Sequence, residues 1–193
     1  MTASNPGFGA RTIVGQNLAA AWRKAAGRDL LPRRDALKPS LLKAVLPNIF
    51  ILEYLNPMTL KFRLVGDRLT EMLGIQLTGL NCFDLVPAEQ RPVRIARLKA
   101  CAAKPCGVRY LQPATLTIIQ AILIETVILP IRPNRPGPLQ FIGAADMVQR
   151  LESTKENFIP HHHTYDRVAE DVAFLDIGCG IPEYDPGKPL FAV

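Results

Sequence analysis

The most apolar run of the chain, Thr115 to Ile131, is interrupted by Gln120 and Glu125. A membrane-spanning helix needs about 20 predominantly apolar residues. The run does not supply them, so no membrane segment is expected, and Ile118 to Ile131 reads as one long β-strand. Val108 to Gln112 reads as a short strand before it. Leu139 to Val148 reads as a strand after it, beyond the turn residues Pro133-Asn134-Arg135-Pro136-Gly137.

The first half of the chain adds two more strands. Ile49 to Tyr54 is rich in strand-forming residues, and Asn56-Pro57-Met58 is a turn signal. Leu60 to Val65 alternates apolar with basic side chains, which buries one face. Short helices are expected at Arg68–Leu73 and after Lys38. A longer one is expected over Pro87–Ala103, where Pro105 and Gly107 stop it. From Thr12 to Gly27 the pattern is helical, with Ile13, Leu18, Ala21, Trp22 and Ala25 near one face. Two strands, then helices, then three strands describe an α+β domain: a five-stranded antiparallel sheet with helices on a single face. The expected division is a disordered stretch over 1–10, a helical segment over 11–47, the core over 48–150 and an acidic tail over 151–193. The helix around Trp22 could pair two copies of the chain, or it could cover the chain's own sheet.

Charge is spread unevenly along the 193 residues. Residues 1–40 hold seven basic against two acidic side chains, and residues 151–193 hold three against eight. Such ends can pack on one another, on a neighbouring chain, or stand apart in water. Arg91, Arg94, Arg97 and Lys99, with Arg23, Lys24, Arg28, Arg33 and Arg34, could serve phosphates. There is no helix-turn-helix signature and no aromatic-rich basic strand. A solvated basic face is expected, and a nucleic-acid-associated protein stands as the alternative function. The N-terminus lacks a basic start followed by an apolar run, so no signal peptide is read and the cytoplasm is the expected compartment. The four cysteines form no Cys-x-x-Cys pair, and no metal site is expected.

Phe174-Leu175-Asp176-Ile177-Gly178-Cys179-Gly180 looks like the glycine-rich first motif of S-adenosylmethionine-dependent methyltransferases. The context forbids that use: too little chain follows Gly180 to build the doubly wound sheet the motif serves. Val172 to Ile177 is expected to be a short strand or docking segment, with Gly178 and Gly180 in a turn. His161-His162-His163 reads as a loop, because three neighbouring side chains diverge from any single metal. No catalytic constellation stands out, so no enzyme is expected.

The element order resembles that of the PAS fold. So do the phrases Leu64-Val65-Gly66-Asp67-Arg68-Leu69, Leu77-Thr78-Gly79-Leu80-Asn81-Cys82-Phe83-Asp84-Leu85-Val86-Pro87, and the hairpin joining Leu129-Pro130-Ile131-Arg132 to Phe141-Ile142-Gly143. With Trp22-Arg23, Leu31-Pro32 and Leu46-Pro47 upstream, the chain is similar to small stand-alone bacterial PAS proteins of the alphaproteobacterial type over about residues 15–150. The resemblance implies a sensory or interaction module. With no output domain read in the sequence, the implied partners are a second copy of the chain, giving a homodimer, and an unidentified signalling protein.

PAS domains hold haem, flavin, a metabolite or nothing. Haem is not expected, because the only histidines lie outside the core. Gly79-Leu80-Asn81-Cys82 looks like the flavin-reactive motif of light-oxygen-voltage photoreceptors, but Phe83, Asp84 and Leu85 replace the basic residue and Gln that follow there. The positions matching their flavin-binding amides are Ile124 and Ala145, so flavin is not expected either, and the cofactor is left open. If Glu53, Glu125 and Asp146 face water, a period of two turns Leu52, Tyr54, Ile124, Thr126, Phe141 and Gly143 inward. Phe62, Leu64 and Cys82 join them. This lining suits a small apolar ligand or a simply packed core.

Overall fold

A computed structural model describes residues 8–86, 88–116, 120–152 and 170–183. The His161–His163 triplet and most of the expected N-terminal disordered stretch lie outside them. The strands are β1 (Ile49–Asn56), β2 (Thr59–Val65), β3 (Gly107–Thr115), β4 (Gln120–Ile131), β5 (Gln140–Glu152) and β6 (Glu170–Leu175). They form one sheet in the order β2-β1-β5-β4-β3-β6, antiparallel at each pairing. The helices are α1 (Ile13–Ala26), α2 (Pro39–Leu42), α3 (Asp67–Leu73) and α4 (Arg91–Ala103).

The helices between the strands, α3 and α4, cover one face of the sheet as expected, and the N-terminal helix α1 covers the other. On β4, Ile122, Ile124 and Ile128 join the cluster that contains Leu69, Leu73, Leu98 and Cys101 of α3 and α4. The intervening Val127, Leu129 and Ile131 pack with Leu18, Ala21 and Trp22 of α1. Period-2 alternation across a strand apolar on both sides therefore feeds two half-cores. Trp22 is buried against the sheet, and its indole N–H donates to the Pro130 carbonyl oxygen at 2.9 Å. Of the two roles read for the Trp22 helix, packing on the chain's own sheet is seen for Leu18, Ala21 and Trp22, while Ile13 stands exposed.

A sixth strand joins the expected five, where a short strand or docking segment is expected over Val172 to Ile177. β6 comes from the segment read as an acidic tail and pairs with the outer edge of β3, with Val108 opposite Phe174 and Gly107 opposite Leu175. An edge strand is held by main-chain hydrogen bonds, so it needs little apolar patterning to be recruited. The glycine-rich phrase closes it as a turn, in which the Asp176 carboxylate accepts from the Gly178 and Gly180 N–H groups at 2.8 and 2.9 Å.

Glu125 does not face water. It is 1 % exposed and sits beneath the start of α1. Its carboxylate accepts from the Arg11 N–H at 2.8 Å, the Thr12 N–H at 2.7 Å and the Thr12 hydroxyl at 2.7 Å. The same hydroxyl accepts from the Gly15 N–H at 3.1 Å and so caps the helix. A buried carboxylate is tolerable only when paired, and here the donor-rich helix start and Arg109, 3.7 Å away, supply the pairing. Gly15 belongs to the same arrangement, because a Cβ there would lie 2.9 Å from that of Ala10 and 3.2 Å from the Glu125 carboxylate.

Candidate functional site

Between α4 and the sheet lies a cavity of about 50 Å³ walled by Leu52, Leu60, Cys82, Phe83, Arg94, Arg97, Leu98, Cys101, Cys106, Val108, Tyr110, Ile128 and Phe141. A second space of about 30 Å³ adjoins it, sharing Leu52, Cys82, Arg94, Tyr110 and Ile128 and adding Phe62 and Thr126. Helical spacing explains the α4 wall: Arg94, Arg97, Leu98 and Cys101 recur at three- and four-residue intervals on one face.

The candidate pocket residues divide accordingly. Leu52, Phe62, Cys82, Thr126 and Phe141 line one or both spaces. Ile124 is buried in the same half-core without lining either, and Tyr54 packs partly buried at its margin. Gly143 faces Phe50, and a Cβ there would fall 2.2 Å from the Phe50 ring, so only glycine lets that ring lie across β5. Leu64 is the correction. It is 40 % exposed, because the β1–β2 register slips: Leu52 pairs with Phe62 while Ile51 pairs with Leu64. Arg63 is the extra residue of a bulge, which turns Leu64 outward and Val65 inward.

The basic face expected on α4 is also redistributed. Arg97 is buried and Arg94 is half-buried, so neither belongs to a solvated stripe, whereas Lys99 is exposed. The Arg94 guanidinium lies 5.1 Å from the centre of the Tyr110 ring, which favours a cation over an aromatic face. It also donates to the Gln112 side-chain oxygen. Desolvation raises the Tyr110 hydroxyl above its ordinary pKa, with Arg94 opposing. The apolar surroundings push the Cys82 thiol up to about 11, again against Arg94. The site is thus a mainly apolar space whose α4 wall carries two arginines, Arg94 and Arg97. Sequence reasoning missed Arg94, Arg97, Cys101, Cys106 and Tyr110 as lining; the spacing on α4 was the signal that could have found the helical ones.

A flavin does not fit this space. Pockets for ligands of that size run to about 300–1,000 Å³, and Ile124 and Ala145 on the facing strands bring no side-chain hydrogen bond. Among the described residues no cluster of His, Cys, Asp and Glu could hold a metal ion, and no helix is long and apolar enough to cross a membrane.

A family profile described as PAS domain matches residues 11–146. The chain belongs to the PAS domain family, whose fold is that of a sensory module. Among solved structures, a light-oxygen-voltage domain studied with a flavin analogue is 13% identical, with a TM-score of 0.44 over 57% of this chain and 83% of that one. The PAS domain of an HTR-like protein from Haloarcula marismortui is 16% identical, with a TM-score of 0.36 over 56% and 90%. An RNA-binding light-oxygen-voltage receptor is 21% identical, with a TM-score of 0.44 over 58% of this chain, which spans 34% of that receptor. A search of curated proteins gave no match.

Proposed function

We propose that this chain is a non-catalytic sensor that takes a small, largely apolar ligand beneath α4 and passes its state on through protein–protein contact. The observation that carries the reading is the cavity itself: aliphatic, aromatic and thiol walls with the Arg94–Tyr110 pair at one corner. An apolar ligand gains by leaving water for such walls, and the guanidinium would orient a single polar or anionic end. Apolar side chains exposed around the β1–β2 hairpin, Leu55, Met58 and Leu80, support an output surface for a second copy or another signalling protein. Asn81 holds these parts together, accepting from the Leu60 N–H and donating to the Met58 carbonyl oxygen.

Native mass spectrometry of the purified chain beside its denatured mass, followed by a xenon titration observed by NMR, tests the ligand reading. A co-purified mass, or saturable xenon binding abolished by Ile128→Phe with the fold retained, is expected. Neither a bound mass nor saturable binding would leave a packed core and overturn it. Light scattering on the eluting protein tests the homodimer.

A further inference from the structure

Two of the cavity's wall residues are thiols within reach of each other. Cys101, in the last turn of α4, and Cys106, just before β3, stand with their sulfurs 3.3 Å apart, and both residues are buried. A disulfide needs about 2.05 Å, so closing the gap takes a movement of little more than about 1 Å. The intervening segment, Ala102-Ala103-Lys104-Pro105, is the exit of the helix, which ends at Ala103. The cavity also supplies a route. Its wall runs from these two residues to Cys82 and Arg94, both partly exposed. At about 15 Å³ for each water-sized molecule, its 50 Å³ admits a hydroperoxide as small as hydrogen peroxide.

We propose that Cys101 and Cys106 form a reversible redox pair, closed to a disulfide by a small hydroperoxide that enters through the cavity. The Cys106 thiol gives up its proton, the thiolate attacks the peroxide oxygen, the O–O bond breaks, and Cys106 becomes a sulfenic acid while the other oxygen leaves, taking up that proton, as an alcohol or water. Cys101 then attacks the sulfenic sulfur. The S–S bond forms, hydroxide leaves, and it takes the Cys101 proton to become water. Two thiols and one hydroperoxide thus give one disulfide, one alcohol or water, and one water, with two electrons passing from sulfur to oxygen.

The roles follow from the surroundings. The two sulfurs share a hydrogen bond, and sharing it favours ionisation of Cys106 and opposes that of Cys101, while Lys104 adds positive charge beside Cys106. The thiolate is the nucleophile in such chemistry, so Cys106 attacks first and Cys101 resolves. The consequence reaches β6. The Pro105 carbonyl oxygen accepts from the Cys179 thiol at 2.9 Å, and Gly107 pairs with Leu175. Drawing Cys106 toward α4 therefore pulls on the strand end and turn that carry Leu175 to Gly180. None of this depends on the ligand proposed above.

The full chain, reduced and then exposed to hydrogen peroxide, tests the pair. Trypsin leaves Ala100 to Arg109 as one peptide, because the bond after Lys104 is followed by proline. That peptide is expected to lose two hydrogens, to regain them with dithiothreitol, and to react on the order of tenfold faster than Cys82. Cys101→Ser should leave a Cys106 sulfenic acid that dimedone captures, whereas Cys106→Ser should leave none. Cys82→Ser and Cys179→Ser should still form the link. Hydrogen exchange over Leu175 to Gly180 should quicken on oxidation. A peptide that stays reduced while Cys82 or Cys179 oxidises, or one that goes to sulfinic acid without linking, overturns the pair. Unchanged exchange in a linked protein overturns the coupling to β6.

Discussion

The Glu125 carboxylate accepts from both the backbone N–H and the hydroxyl of Thr12, each at 2.7 Å, from a strand more than a hundred residues further along the chain. The interior of β4 thereby supplies the counter-charge for the first turn of α1. Glu125→Gln keeps the shape but removes the charge, leaving the buried Arg109 guanidinium with the partly exposed Asp171 as its remaining carboxylate. A loss of about 3 kcal/mol is expected, measured by urea unfolding. A loss under about 0.5 kcal/mol would place the interaction among ordinary surface contacts.

Asp171 and Asp176, with Asp35 and Glu53, contribute to the acid side of the stability profile. Asp171 is held below its ordinary range chiefly by the hydrogen bond from Arg109, and Asp176 chiefly by the Gly178 N–H, then by that of Gly180. Both are harder to protonate folded than unfolded. Their contributions are complete above about pH 4 and are lost as pH falls through the depressed folded values. Thermal unfolding followed from pH 6 down to pH 2.5 should show the decline, and Asp171→Asn together with Asp176→Asn should make it shallower.

Gly143 and Phe50 are a matched pair. Gly143→Ala drives a methyl into the Phe50 ring and should cost about 1–3 kcal/mol. In a double-mutant cycle Phe50→Leu should relieve part of that cost, giving a coupling of at least about 0.5 kcal/mol. Strict additivity would show that the ring moves aside freely.

Trp22 is the chain's only tryptophan, so its fluorescence reports the docking of α1 alone. Its emission should be blue-shifted in the native protein and move to the red when α1 leaves the sheet. Trp22→Phe, which loses the bond to the Pro130 carbonyl, should cost about 1–2 kcal/mol and leave the sheet's far-ultraviolet signal in place.

The strands and the long helix were legible because their patterns are local: alternation in Leu60–Val65, turn residues at Asn56-Pro57, breakers at Pro105 and Gly107. The inward set on β4 and β5 followed from period 2 alone. Leu64 defeated the same rule because a bulge at Arg63 shifts the parity by one, and a bulge leaves no mark in composition. Glu125 defeated it because a lone carboxylate in an apolar run reads as solvent-facing until its donors are known, and those lie on another element. The cysteine pair went unread because five residues suit neither a metal motif nor a helical face; proximity arises only where α4 ends and the chain doubles back into β3.

One guanidinium joins the two ends of the described chain. Asp171 of β6 accepts from Arg109 at 2.9 Å and from Arg11, just ahead of α1, at 2.7 Å, while Glu125 takes the backbone of that same Arg11. A tug on either end is thus borne by the same four residues. Under load, for instance in a pulling experiment or at a degradation machine, α1 and β6 should come away in one step from whichever terminus is gripped.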